Sequence, residues 1–269
     1  MAIVTISRGT YTKGREIAEK VAAKLGYECI AREAVIEASK EFNIQEAKLI
    51  RALHDAPSVL DKFSYGKEKF IAYYQVAFLE RMKGDNVVYH GLAGHFLLKN
   101  ISHVLKVRII ADIEERAKLE AEREKISEKE AMRLLQNDDA ERRKWSHHIY
   151  GIDTDDSSLY DLVVRIRKIT VDDAVDIISH TIRLEHFKTT VQSKEALEDM
   201  LIAARVKVAI LDKAPNAEVV AKKGVVYIRA NSSKFHEDEF INGIEQSARS
   251  VSGVKDINVY IIPVLPYDD

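Results

Sequence analysis

The chain has 269 residues, of which 46% are apolar and 31% charged, with a formal net charge of −2. That balance belongs to a globular protein of one large or two unequal domains, and it supplies no basic field for nucleic acid or an anionic membrane surface. The single cysteine, Cys29, excludes an internal disulfide framework, and no apolar stretch approaches the roughly 18 residues of a membrane helix.

Ile3-Val4-Thr5-Ile6-Ser7 reads as a short buried strand. Ser7-Arg8 interrupts the apolar run at once, so no signal peptide is expected and the cytoplasm is the expected compartment. A glycine-flanked turn runs from Gly9 to Gly14, and a helix opens at Arg15-Glu16-Ile17-Ala18. A strand that ends in a tight loop and feeds a helix N-terminus collects free backbone N–H groups and the positive end of the helix dipole, which suits an anion. The spacing Gly9-x-x-x-x-Gly14 is that of a Walker A phosphate loop, although Arg15 and Glu16 stand where that motif has Lys and Ser or Thr.

Tyr27–Ile30 is a candidate short strand leading into a helix near Arg32–Lys40, and residues 44–83 have a helical pattern broken around Ala56-Pro57-Ser58. Asn86–His90, Leu105–Ile110 and Asp161–Ile166 read as further buried strands. Between the last two lies a charged helical stretch from Ile113 to Lys144, and an amphipathic helix follows at Val171–Arg183. Apolar strands without polar alternation, separated by helices, predict a parallel sheet covered on both faces. A boundary is expected near residues 186–194. Beyond it come a helix over Glu195–Leu211, a strand at Ala217–Val220, a Lys222-Lys223-Gly224 turn, a strand at Val225–Ile228, a helix over Phe235–Ser250 and a strand at Ile257–Ile262. This α-β-β-α-β order predicts a small two-layer module. The expected domains are therefore residues 1–185 and 195–269, and the fold class is α/β with a second, smaller α+β unit.

Resemblance adds to these patterns. The stretch from Ile6 to Ala18 is similar to the opening of the cytidylate-kinase-like family of P-loop nucleoside monophosphate kinases, in which Arg-Glu after the last loop glycine is usual. Val88–Gly94, Val107–Arg116, Ile126–Ala131 and Tyr150-Gly151 followed by Tyr160–Val163 fit its later strands and lid. The resemblance covers residues 1–183 and implies a three-layer α/β/α P-loop kinase domain. The implied reaction is transfer of the γ-phosphoryl group of ATP, carried with Mg2+, to CMP or a related pyrimidine monophosphate. The donor phosphates then fall to Arg8, Gly9, Thr10, Thr12, Lys13, Gly14, Arg15 and Glu16. Arg15, Arg108, Arg142 and Arg143 are candidate phosphate clamps, with Arg116 beside them. Asp138, or Asp139 next to it, is a candidate for fixing one of those arginines or holding magnesium through water.

Against each assignment stands a plainer one. Between Lys106 and Lys144 there are 11 basic and 11 acidic residues, a mixture that also suits solvent-facing helices laced with i,i+4 pairs. Arg15 is in register to pair with Glu19, and Thr12 also suits a turn. The chain departs from the family pattern at Tyr11 and Lys13, where the loop is usually Gly and Ser. It departs again at Ala31 in place of Asp, at Leu92 in place of Arg, and at Arg165-Ile166-Arg167 in place of Asn-Thr-Asp. These departures keep a second function open, a catalytically reduced nucleotide sensor, and a third, a scaffold without nucleotide. The rings Phe63, Tyr65, Phe70, Tyr73, Tyr74 and Phe78 fit helix packing, with Tyr73 or Tyr74 the alternative for stacking on an acceptor base. No histidine cluster has the spacing of a metal site. The C-terminal module resembles the BON domain through Lys223–Ile228 and Ala248–Ile257, which implies a regulatory role with a protein or small-ligand partner.

Overall fold

The computed structural model describes residues 2–9, 13–31, 66–91, 94–232 and 237–263. The described residues divide into two compact units, one within Met1–Val35 and Gly84–Thr190 and the other within Ile36–Lys83 and Val191–Asp269. No helix among them is long and apolar enough to cross a membrane.

The first unit is built on strands β1 (Ile3–Arg8), β2 (Glu28–Ala31), β3 (Val87–His90), β4 (Val104–Ala111) and β5 (Leu162–Ile166). They form one parallel sheet in the order β2-β3-β1-β4-β5, with Val4 opposite Val88 on one side and Leu105 on the other. Period-two alternation sends Val4, Ile6, Val88, Leu105 and Val107 to one face of this sheet. There they meet Ile17 and Val21 of helix α1 (Gly14–Leu25), and Ala174, Val175 and Ile178 of helix α6 (Val171–Thr181). Fully burying one such aliphatic side chain is worth about 1.5–3 kcal/mol, so this face holds the unit together. On the other face the short helix α3 (Gly94–Leu97) sets Gly94 against Thr5 and the Tyr89 ring. Helices therefore cover both faces, as the uninterrupted apolar strands require.

The charged stretch after β4 is two helices, α4 (Ile113–Glu124) and α5 (Glu128–Tyr150), where the sequence pattern indicated one. Lys125 takes a left-handed conformation with φ 57° and closes α4 by donating its N–H to Ala121 O. Ser127 then caps α5, its hydroxyl accepting from Glu130 N at 3.2 Å. Ala117, Ala121, Ala131 and Leu135 form a small core between the two helices. Small and aliphatic residues at helical spacing bring the pair together despite the charge around them.

In the second unit, helix α2 (Gly66–Met82) packs against helix α7 (Val191–Ile210). Phe70, Tyr74 and Phe78 lie at i,i+4 spacing and stack in series, with centroids 5.7 and 6.4 Å apart. All three are buried, so Tyr74 serves packing. Phe63 and Tyr65 lie outside the described residues. Helix α7 begins at Val191, four residues before the expected start, and buries Ser193 and Leu197.

Strands β6 (Glu218–Lys222), β7 (Val225–Ser232) and β8 (Asp256–Pro263) make a three-stranded sheet, with β6-β7 antiparallel and β7-β8 parallel. The β6-β7 hairpin turns on Lys223 and Gly224, at φ 54° and 81°, the two positive angles of a tight primed turn. Asp199 of α7 accepts from both turn N–H groups, at 2.7 and 3.0 Å. Val206, Ile210, Val226, Ile228, Ile244 and Ala248 form the core, the last two from helix α8 (Glu237–Arg249). The order α7-β6-β7-α8-β8 is the expected α-β-β-α-β of a smaller α+β unit, in addition to the α/β/α one.

Candidate active site

β1 ends at Arg8, and α1 opens at Gly14 after the loop that joins them. The Arg8 side chain lies over Gly14 so closely that a Cβ there would meet Arg8 Cδ at 2.6 Å, which leaves glycine as the residue that fits. Lys13 precedes the helix at φ 60°, a left-handed angle where the usual loop glycine has been replaced. Its carbonyl accepts from Ile17 N at 3.0 Å, while its side chain is exposed. Thr10, Tyr11 and Thr12 lie outside the described residues.

Two cavities open beside this turn. The first, of about 410 Å³, is lined by Ser7, Arg8 and Gly9 from the end of β1, Arg108 from β4, and Arg116, Asp139, Arg142 and Arg143 from the helix pair. Thr154 and Asp155 complete it from the segment after α5. The second, of about 550 Å³, is lined by Lys13, Gly14, Arg15, Glu16, Glu19, Leu119, Glu120 and Arg123, and it shares Arg8 and Arg142 with the first. Five guanidinium groups against the carboxylates of Asp139 and Asp155 leave the first cavity positive, which favours phosphate oxygens in a site partly shielded from water.

The arginines are held in different ways. Arg116, 7% exposed, donates two parallel bonds to Asp139 at 2.7 and 3.0 Å. Arg108, 14% exposed, pairs through Nη2 with Asp155, and its Nη1 donates to Ser7 Oγ at 3.4 Å and the Tyr160 hydroxyl at 3.3 Å. Arg143 pairs with Asp155 as well, and its Nε lies 3.4 Å from Asp153. Asp155 thus lies between two of the candidate clamps, Arg108 and Arg143.

A model of the cytidylate kinase-like family matches residues 3–168, more than half of the chain. The chain belongs to that family. It is similar to the cytidylate kinase of Staphylothermus marinus, 30% identical over 186 residues that cover 66% of this chain and 94% of that one. It is 40% identical to the cytidylate kinase of Thermococcus kodakarensis over 86 residues, 32% of this chain and 44% of the relative. For this relative and that of Pyrococcus horikoshii the chain spans about half of their length. A solved structure of an uncharacterised protein from Eubacterium ventriosum superposes with a TM-score of 0.53 at 22% identity, covering 68% of this chain and 98% of that one. This last likeness concerns the fold. Residues 169–269 fall outside the match to the cytidylate kinase-like family.

Among the residues the family resemblance singled out, the first cavity gathers Arg8, Gly9, Arg108, Arg142 and Arg143. The second gathers Lys13, Gly14, Arg15 and Glu16. Arg15 is 72% exposed and its Nε pairs with Glu19 at 2.8 Å, the plainer arrangement. Glu16 lies 3.4 Å from Lys20. Asp138 is exposed and lines neither cavity, whereas Asp139 makes the orienting contact to Arg116. Arg165 and Arg167, which replace the family's Asn and Asp, both meet Asp112, Arg165 Nε at 2.8 Å and Arg167 Nη1 at 3.5 Å. Leu92 lies outside the described residues.

Three side chains of the site carried no assignment from sequence. Glu120 is buried with its Oε1 accepting from Arg123 at 2.9 Å, and its Oε2 has no hydrogen-bond partner among the described residues. His95, 3% exposed, has its ring centroid 4.6 Å from that of Tyr160 and its Nε2 3.3 Å from the tyrosine hydroxyl. Burial first, then the charges of Arg108 and Lys106, push the His95 pKa down to about 3, so the ring is neutral near pH 7. The Tyr160-Asp161-Leu162-Val163 stretch marked a strand start, but nothing in its pattern pointed the tyrosine at Arg108.

Proposed function

We propose that this chain is an ATP-dependent nucleoside monophosphate kinase that phosphorylates CMP or a related pyrimidine monophosphate in the cytoplasm. The observation that carries the reading is the convergence of Arg8, Arg108, Arg116, Arg142 and Arg143 on one cavity beside the turn between β1 and α1. These residues suit a polyphosphate, and Asp155 already sits between two of them as an anion of the chain's own. ATP bound with Mg2+ supplies the phosphoryl group to be transferred. The chain's own residues position and neutralise, since phosphoryl transfer asks for in-line geometry and charge stabilisation more than covalent help. Arg8, Lys13 and the N–H groups at the start of α1 hold the donor side, and Arg108, Arg142 and Arg143 clamp the transferring and acceptor phosphates. Asp139 keeps Arg116 in place rather than acting on the nucleotide.

A second reading, a nucleotide sensor with little turnover, draws on Lys13 at a glycine's angle and on the Asp155 contacts. The α-β-β-α-β module over residues 195–269, BON-like in its glycine-containing turns, would carry the response to a protein or small ligand. An ADP-release assay across the common nucleoside monophosphates, beside nucleotide-binding calorimetry, separates the readings. Turnover with a pyrimidine monophosphate supports the kinase. Tight binding without turnover supports the sensor, and absence of both supports a scaffold.

A further inference from the structure

We propose that Tyr160 is a positioning residue that sets the guanidinium of Arg108 in the phosphate cavity, with the His95 ring as its backing. The inference rests on the reading of that cavity as a phosphate site. The Tyr160 hydroxyl is buried where four segments meet: Thr154 O at 2.9 Å, Ser7 Oγ at 3.3 Å, His95 Nε2 at 3.3 Å and Arg108 Nη1 at 3.3 Å.

Proton accounting orders this cluster. The hydroxyl has one proton, and the Thr154 carbonyl, the nearest of its four neighbours, is able only to accept. With the proton committed there, the tyrosine oxygen is left as an acceptor. Arg108 Nη1 fills one lone pair. His95 fills the other when Nε2 carries the ring proton, which leaves Nδ1 as a lone pair; among the described residues Nδ1 has no hydrogen-bond partner of either kind. A neutral imidazole also adds no repulsion toward Arg108. The guanidinium carbon stands 5.6 Å from the Tyr160 ring centroid, so the ring face and the hydroxyl both favour one placement of the cation. With Asp155 on Nη2 and Tyr160 and Ser7 on Nη1, Arg108 is fixed from two sides before any ligand arrives. A long side chain ordered in advance loses less rotamer freedom on binding.

The test is a double-mutant cycle on the full chain, with ATP and inorganic pyrophosphate as probes in calorimetry and melting temperature as the folding control. Tyr160→Phe keeps the ring and removes the hydroxyl, and is expected to weaken binding by about three- to tenfold, the range of one ordinary hydrogen bond, because its loss reaches the ligand only through Arg108. In an Arg108→Gln background the same change is expected to have no further effect, because the group being positioned is gone. His95→Gln, which retains an N–H donor, is expected to stay within about twofold of wild type while His95→Phe resembles Tyr160→Phe. Equal losses from Tyr160→Phe with and without Arg108, or unchanged affinity in folded Tyr160→Phe, would overturn the assignment. A wild-type chain that binds neither probe defeats the phosphate reading itself, a result visible before any variant is compared.

Discussion

Arg116 and Asp139 face each other across the α4–α5 pair, with Nη1–Oδ2 at 2.7 Å and Nη2–Oδ1 at 3.0 Å and the guanidinium almost wholly buried. Together with the alanine seam, this contact fixes the angle at which α5 carries Arg142 and Arg143 to the cavity. Asp139→Ala removes both parallel bonds to a buried guanidinium and is expected to cost about 1–3 kcal/mol, less than a fully buried pair because the carboxylate is partly exposed. Asp138→Ala, one residue away and exposed, is expected to change stability by less than about 0.5 kcal/mol. Urea denaturation of both variants checks the contrast.

Asp155 shares its carboxylate between Arg108 and Arg143. Asp155→Asn removes a negative charge from the cavity and keeps the side chain's shape. Its expected effect is an affinity for pyrophosphate higher by about three- to tenfold, with a steeper loss as salt rises. Calorimetry at two ionic strengths is the measurement, and weaker binding would show that holding Arg108 and Arg143 in place outweighs the carboxylate's repulsion of the anion.

Arg142 lines both cavities, whereas Arg15 is mostly exposed and paired with Glu19. Arg142→Ala is expected to lower turnover by about 10- to 100-fold and ground-state nucleotide affinity by less. Arg15→Ala is expected to leave stability within about 0.5 kcal/mol, as for other exposed i,i+4 pairs. Steady-state kinetics, dissociation constants and melting curves on the two variants give the comparison.

His95 supplies a pH dependence with a definite sign. Its pKa is about 3 in the folded chain against an ordinary value of 6.5, so between these limits the unfolded state binds the additional proton. Stability is therefore lost as pH falls from 6.5 toward 3, at up to about 1.4 kcal/mol per unit. His95→Gln is expected to remove about 2 kcal/mol of the difference between pH 7 and pH 5. Chemical denaturation of wild type and variant at both values isolates this group from the other titrating residues.

Gly224 sits at φ 81° with a Cβ position 2.9 Å from Gly253 O. Gly224→Ala is expected to destabilise the second unit by about 1–3 kcal/mol through the backbone angle and the contact together. Asn at the same position tolerates the angle better and is expected to fall between glycine and alanine in melting temperature.

Much of this architecture was legible along the chain, because its signals are local. Apolar runs without polar alternation marked the strands of a doubly covered sheet, and the strand–turn–helix pattern at Ile3–Ala22 marked the succession of β1 and α1. Lys223-Gly224 between two β-branched runs marked the hairpin. Tertiary structure alone decided what each face touches. The helical pattern over residues 44–83 took in α2, but an apolar stripe does not name its cover, and only packing against α7 sets α2 in the second unit. Asp138 and Asp139 are neighbours of identical chemistry, yet they point about 100° apart around α5, so the phase of one helix against another selects the carboxylate that meets Arg116. Ser7, His95, Arg108 and Tyr160 come from four separate stretches of sequence. Their shared hydroxyl exists only once the sheet has brought β1 and β4 side by side, because proximity across the fold has no local periodicity to announce it.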